Sequence, residues 1–396
     1  MKQIKKSTKT TILALSWRDI TSPNAGGAEV HTHQMLSRAD QTKYRIYHLA
    51  TRREGQPESE VIDGITYLRH GNALTVILAA MQFYQKNKDN IDFVIDQCNT
   101  HRFFTPLWVA PQKRIFYIHQ LTKEIWDYSA KFPLSKIGKL LEESFLRLNR
   151  NDPVITVSES TRDELVSRGY YLDKIKVIHN GVFFTPWKRE QWCEKEKAPT
   201  FIYAGRYSPY KGINVAVNAL AKIKKTYPNA KLWIIGKKDQ EYVNKNLMPI
   251  CEKYSLIWED AQDNRLESGI KGDIISWGYV SEEKKLELLS RAWALVFPSI
   301  REGWGIPITE AGCVGTPSIA FDSPGIREAV NYGNAGYLCT KNTVNALMEE
   351  MGMVISDKMV YSSKRENAYQ FSSQFRWDKI GNEFDAFLEG VNQCHY

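Results

Sequence analysis

No stretch of this chain approaches the roughly 18 consecutive apolar residues that a membrane span requires. The start, MKQIKKSTKTTILALSW, is basic, but its apolar run is short and no small-residue cleavage site follows, so a secretory leader is not expected. The six cysteines (Cys98, Cys193, Cys251, Cys313, Cys339, Cys394) are scattered without metal-type spacing. They are expected as free thiols in a reducing, cytoplasmic setting. Internal repeats and low-complexity tracts are also lacking. A concentrated basic surface is missing as well. Of the net charge of +8, Lys2, Lys5, Lys6 and Lys9 supply four, so the body is nearly neutral. That disfavours a nucleic-acid partner. The basic start itself could lean on anionic lipid headgroups, on the inner face of a membrane.

What is present is an ordinary soluble composition, 43% hydrophobic and 25% charged, spread over 396 residues. That length implies two domains rather than one. Short β-rich runs alternate with helical stretches, the pattern of parallel α/β sheets. Strands are expected near 11–16, 44–49, 65–68, 93–96, 114–118, 154–157 and 176–178. In the second half they are expected near 200–204, 231–235, 274–276, 294–297 and 318–320. Helices are expected at 28–38 and 137–148. The polar stretch 185–199 reads as an interdomain linker, and 237–272 as a helix with a mobile loop.

The segment FPSIREGWGIPITEAGCVGTPSIAFDSPGIREAV, residues 297–330, is the richest in chemistry. The apolar run 294–297 reads as a buried strand. Gly303 and Gly305 permit a tight turn and close backbone approach to a ligand. Pro307 suits the first turn of a helix. The outward helix N-terminus, built from Gly303, Trp304, Gly305 and Ile306, suits a phosphate. Glu302 and Glu310 flank it and can accept hydrogen bonds from hydroxyls. Phosphate and hydroxyls together suggest a sugar nucleotide. A paired-acid glycosidase needs two carboxylates about 5–10 Å apart, which this spacing could meet. The cations Arg206 and Lys211, in GRYSPYKG, would then have no role. Arginine grips phosphate bidentately and lysine acts as a point charge. In the loop 22–29, Gly26 and Gly27 precede a helix, so their backbone could approach phosphate.

The segment resembles the retaining glycosyltransferases of family 4, whose hallmark is a glutamate pair with seven residues between. SPNAGGAEVHTHQML, VITVSESTRDEL, VIHNGV and YAGRYSPYKGINVAVNAL match further family motifs in order, over about 320 residues. The resemblance implies a GT-B architecture: two doubly wound Rossmann-like domains facing across a cleft, with a C-terminal helix crossing back. The expected divisions are 1–185 for an acceptor-side domain, 186–372 for a nucleotide-sugar-binding domain and 373–396 for the returning helix. Trp377, Ile380, Phe384 and Leu388 stand at helical spacing there. The resemblance further implies that Glu310 binds the nucleotide ribose and Glu302 the sugar hydroxyls, and that His119 lies against the donor sugar. The family's Pro-Asn-Gly-Val-Asp is replaced by His179-Asn180-Gly181-Val182-Phe183.

The expected function is retaining transfer of a sugar from a nucleotide donor, UDP- or GDP-linked, to an acceptor hydroxyl of a glycan, glycolipid or glycoprotein in bacterial surface-glycan synthesis. No Asp-x-Asp pair occurs, and no cofactor or metal is expected. The alternatives are a non-catalytic partner of another transferase, or an epimerase or phosphorylase of the same fold. The apolar face of helix 136–150, with Ile137, Leu140, Leu141, Phe145 and Leu148, is expected to pack on its sheet. Otherwise it meets a lipid-linked acceptor.

Overall fold

In the computed structural model, which describes residues 4–23, 25–98, 102–129, 131–261 and 271–393, the chain forms two units. The first holds residues up to 126, then 132–181 and 376 onward. The second holds 127–131 and 182–375.

In the first unit, short apolar runs form β1 (Thr10–Leu15), β2 (Tyr44–Ala50), β3 (Ser59–Ile62), β4 (Ile65–Arg69), β5 (Phe93–Cys98), β6 (Arg114–Ile118), β7 (Val154–Thr156) and β8 (Ile175–Val177). Among the described residues they pair in the order β3-β4-β2-β1-β5-β6-β7-β8. All pairs are parallel except β3 with β4. β1, β5 and β6 are almost wholly buried, as runs covered on both faces must be. The chain order steps outward from β1 both ways, which leaves a switch point between β1 and β5 at their carboxyl ends.

The second unit holds β9 (Thr200–Ala204), β10 (Lys231–Ile235), β11 (Trp258–Asp260), β12 (Ile274–Gly278), β13 (Ala294–Phe297), β14 (Ser318–Ala320) and β15 (Tyr337–Leu338). They pair in parallel in the order β11-β12-β10-β9-β13-β14-β15. The switch point here falls between β9 and β13. The two loops that follow these strands carry Arg206 with Lys211, and Glu302.

The helix Trp377–Gln393 belongs to the first unit. Trp377, Ile380, Phe384, Leu388 and Val391 are buried with Ile12, Met35 and Leu36. Gly381 lies against the Arg38 carbonyl, where a β-carbon would stand 2.6 Å from the oxygen. Any larger residue would therefore lift this helix off its seat.

Several expectations need correction. The stretch 185–199 is no loose linker. The Trp187 amide donates to Cys313 O at 3.0 Å. Lys195 Nζ donates to Ser290 O, Ala292 O and Thr316 Oγ1 at 2.6–2.8 Å. Glu196 pairs with Arg291 at 2.7 Å. Lys195 and Glu196 thus tie the stretch to the second unit, while Lys188, Arg189, Glu190, Gln191, Glu194 and Lys197 are exposed. β3, β11 and β15 were absent from the expected strands, since each is short and lies at a sheet edge or next to one. Residues 262–270, part of the stretch 237–272 expected as a helix with a mobile loop, lie outside the described residues, as do Lys2, Asn24 and Cys394. The other five cysteines are free. Among the described residues no helix is long and apolar enough to cross a membrane.

The helix expected at 136–150 forms as Leu134–Leu146, but its apolar face does not pack on the sheet. Ile137, Leu140, Leu141 and Leu148 are exposed, and of the expected stripe only Phe145 turns inward, against Phe104.

Candidate functional site

The expected site residues divide between the units. In the first, Asp19 anchors the loop after β1. Its carboxylate meets the buried Arg69 guanidinium at 2.5 Å and accepts from the Thr21 amide at 3.0 Å. The loop then enters the helix Gly27–Ser37, with Gly26 extended at its cap. The Gly26 amide donates to the Glu29 carboxylate at 2.8 Å, and Arg18 pairs with the same carboxylate at 3.0 Å. This corrects the expectation that both glycines offer amides to phosphate. The Gly26 N–H is taken, by a carboxylate that repels an anion. Gly27 begins the helix, and its amide has no partner within the helix.

His119 directly follows the β6 strand and is buried. Its Nε2 lies 3.1 Å from Gln97 Nε2. Gln97 also approaches the Ala28 carbonyl at 3.5 Å, so its amide nitrogen faces this way and donates to the ring. Burial, and secondarily the nearby His31, hold His119 well below the usual histidine range. It is a neutral imidazole at physiological pH. His31 is itself lowered to about 4 by burial. It bonds Tyr117 OH and the carbonyls of Ile178 and His179, and its ring meets Trp377 edge-on at 5.3 Å. Gln97 and His31 were missed in the sequence. A polar residue at the end of an otherwise apolar strand was the available signal for Gln97.

The replaced His179 donates from Nδ1 to Val157 O at 3.1 Å, and lies 3.3 Å from Glu159. Gly181 meets Trp377, whose nitrogen would stand 2.7 Å from a β-carbon. The substituted segment thus keeps a close backbone approach that only glycine allows.

In the second unit the loop after β9 carries Arg206, which is exposed, and a single 3-10 turn Pro209–Lys211. Gly212 follows at φ 72°, with the Pro298 carbonyl 2.2 Å from where a β-carbon would lie. This glycine presses the Lys211 turn onto the end of the β13 strand. Lys211 Nζ there meets Glu302 Oε1 at 2.5 Å, and Ser299 Oγ donates to the same oxygen at 2.6 Å. Burial works against the Lys211 charge, but Glu302 and Tyr210 beside it outweigh this, so its pKa lies above the usual lysine value. The sequence spacing of 91 residues between Lys211 and Glu302 hid this pair.

Gly305, at φ 104°, caps the helix Ile306–Cys313, with Pro307 in its first turn. The free amides and dipole of that end favour an anion. Gly325 comes so close to Glu302 and Gly303 that a β-carbon would lie 2.3 Å from the Glu302 carbonyl. Trp304 was expected to touch the donor. Its side chain instead is buried, donating to Thr309 Oγ1 at 2.9 Å and packed on Phe375. Only its backbone can serve a ligand. Glu310 is buried, and Lys285 Nζ meets its Oε1 at 2.8 Å. Burial raises the Glu310 pKa while Lys285 opposes the rise. Lys285, like Ser299, was missed in the sequence, since a lysine on a charged helix reads as solvated.

This arrangement offers cations for a phosphate and carboxylates for hydroxyls, on loops at a switch point of a parallel sheet. Comparison with known proteins agrees. Residues 185–371 match the model "Glycosyl transferases group 1", and residues 25–183 match "Glycosyltransferase Family 4". A glycogen synthase of Mycobacterium tuberculosis is 28% identical over 240 residues, covering 60% of this chain and 54% of that one. The chain thus spans about half the length of such curated relatives. The O-antigen chain mannosyltransferase RfbU of Salmonella typhimurium is 30% identical over 206 residues, covering 51% and 52%. Among solved structures, a sucrose-phosphate synthase of Thermosynechococcus elongatus superposes with a TM-score of 0.75 at 18% identity, covering 98% of this chain and all of that one. Anabaena HepE in complex with UDP-glucose superposes at 0.68 and 16% identity, covering 96% and 99%. Both units therefore have the fold of GT-B glycosyltransferases.

Proposed function

Because the chain belongs to the glycosyltransferases of family 4 and group 1, we propose that it moves a sugar from a UDP- or GDP-sugar to an acceptor hydroxyl with retention of anomeric configuration. The observation that carries this reading is the Lys211–Glu302–Ser299 cluster beside the Gly305-capped helix. Arg206, Lys211 and the helix end take the diphosphate. As the bond from the anomeric carbon to phosphate oxygen breaks, negative charge builds on the leaving group. Cations fixed beside it stabilise that state more than the ground state. They take the place a divalent metal would otherwise fill. Glu302 accepts from the sugar hydroxyls. Glu310, whose Oε1 is held by Lys285, accepts from the ribose through Oε2.

His119, neutral and with its Nε2 lone pair engaged by Gln97, donates its Nδ1–H to a sugar hydroxyl. The acceptor oxygen attacks on the face the phosphate leaves. Its proton passes to the departing phosphate oxygen, so no protein base is needed. The acceptor is a glycan, glycolipid or glycoprotein hydroxyl of surface-polysaccharide synthesis. The O-antigen and capsular polysaccharide enzymes among the relatives support this class. Lys5 and Lys6, exposed beside the buried Ile4, add a basic patch for peripheral contact with a membrane.

A thermal-shift panel of UDP, GDP, ADP and dTDP, with and without their sugars, tests the reading, since a ligand that binds the folded state raises Tm. One nucleotide is expected to stabilise strongly and to do so less in Lys211→Met. A panel in which none raises Tm overturns the donor-site assignment.

A further inference from the structure

A surface helix ordinarily buries its apolar stripe and offers its polar side to water. The helix Leu134–Leu146 is turned the other way. Its buried positions are Ser135, Gly138 and Leu146. Gly138 lies under the Trp126 ring, which a β-carbon would meet at 2.6 Å. Glu142 also faces the body, accepting from the Thr122 and Lys123 amides at 2.5 and 2.9 Å and from Trp126 Nε1 at 3.2 Å. The small and acidic residues fix the rotation of the helix. Phe145 and Leu146 turn inward at its end, and Leu134, Ile137, Leu140 and Leu141 are left facing outward. Leu134 is 64% exposed, Ile137 47%, Leu140 69% and Leu141 44%, with Phe132 just before them at 75%.

The net charge beside this face is positive. Lys136 and Arg147 are exposed, and Lys139 is half-buried. Of the helix's two carboxylates, Glu142 is spent on backbone amides and Glu143 pairs with Arg168 at 2.6 Å. The Glu143 side chain is 42% exposed, but its charge is matched by Arg168. An aliphatic face flanked by lysine and arginine, with its carboxylates paired or spent on backbone amides, is the make-up of a helix lying in a membrane interface. Protein interfaces instead enrich tyrosine and tryptophan and deplete lysine.

We propose that this face rests in the headgroup layer of an anionic phospholipid bilayer, with Leu134, Ile137, Leu140 and Leu141 entering the acyl boundary and Lys136, Lys139 and Arg147 meeting lipid phosphates. The inference is independent of the transferase reading, because it concerns a surface and not the sugar-nucleotide residues.

The full chain is to be sedimented with vesicles of phosphatidylcholine containing 30% phosphatidylglycerol, and with phosphatidylcholine alone. Binding to the anionic vesicles, weakened in high salt, is expected. Ile137→Gln, Leu140→Gln and Leu141→Gln together should lower it at least tenfold while leaving Tm within a few degrees, because all three positions are exposed. Lys136→Gln should lower it about fivefold, from the roughly 1 kcal/mol a lysine contributes near an anionic surface. Lys5→Gln with Lys6→Gln separates this face from the basic start. If that pair abolishes binding and the triple variant does not, the start and not the helix is the anchor. The proposal is overturned if the wild-type chain ignores the anionic vesicles. It is equally overturned if the triple variant binds as the wild type does, or if it only splits a dimer seen in sedimentation velocity.

Discussion

Replacing Lys211 with methionine removes one charge and leaves most of the side-chain volume in place. The Lys211 and Glu302 side chains are 18% and 12% exposed and meet at 2.5 Å. Breaking a fully buried pair costs about 3–5 kcal/mol, because the partner charge is stranded. Both groups here keep some solvent, and Ser299 still donates to Glu302, so about 2 kcal/mol is expected. For a unit of about 200 residues that is a Tm loss of roughly 4–8 °C. The catalytic loss is separate. One fixed electrostatic contact to a developing charge supplies about 3–4 kcal/mol, so kcat should fall by roughly 10²–10³. The assay is sugar transfer, or donor hydrolysis as its surrogate, beside a thermal melt of each variant. Lys211→Met with Glu302→Gln removes the stranded charge and should regain most of the lost Tm with no return of activity. A single variant whose kcat stays within threefold of wild type refutes the phosphate role. Restored activity in the double variant would show that Lys211 serves only to satisfy Glu302.

Three further outcomes are expected. On the proposal that Arg206, Lys211 and the helix end do a metal's work, turnover should persist in excess EDTA; activity lost in EDTA and recovered with magnesium refutes it. His31 and His48 are each lowered by burial from 6.5 to about 4. A buried neutral histidine makes the unfolded state the better proton binder below pH 6.5, so stability is full above 6.5 and falls between about 6.5 and 4, by about 1.4 kcal/mol per pH unit for each. Melts that show the same Tm at pH 7.5 and 5.0 would contradict that burial. Lys285→Met should let burial push Glu310 toward its neutral form, which raises the donor KM about tenfold with a smaller change in kcat; an unchanged KM would remove Glu310 from ribose binding.

The sequence shows most where one residue's type settles one physical question. Apolar runs such as Phe201–Ala204 and Ala294–Phe297 can only be strands of a covered parallel sheet, and they lie where their composition puts them. Gly305 before Ile-Pro can only be a helix start, because a positive φ and a missing N–H fit nowhere else. The site was legible to the extent that its charged residues sit next to such punctuation. What stayed hidden depends on contacts between distant parts of the chain. Lys285 and Glu282 look alike as exposed charges on one helix until the fold brings Glu310 within 2.8 Å of Lys285. Gly26 looks like an open phosphate cradle until Glu29, three residues on, turns back and takes its amide. Trp304 entered the expected site as part of a helix N-terminus, and nothing in its neighbours shows that Thr309 and Phe375 draw its ring into the core. The helix Leu134–Leu146 shows the same limit in reverse. Periodicity established an amphipathic helix, but not which side faces the body. Gly138 and Glu142 decided that, through a tryptophan and two amides that lie outside the helix and outside any pattern within it.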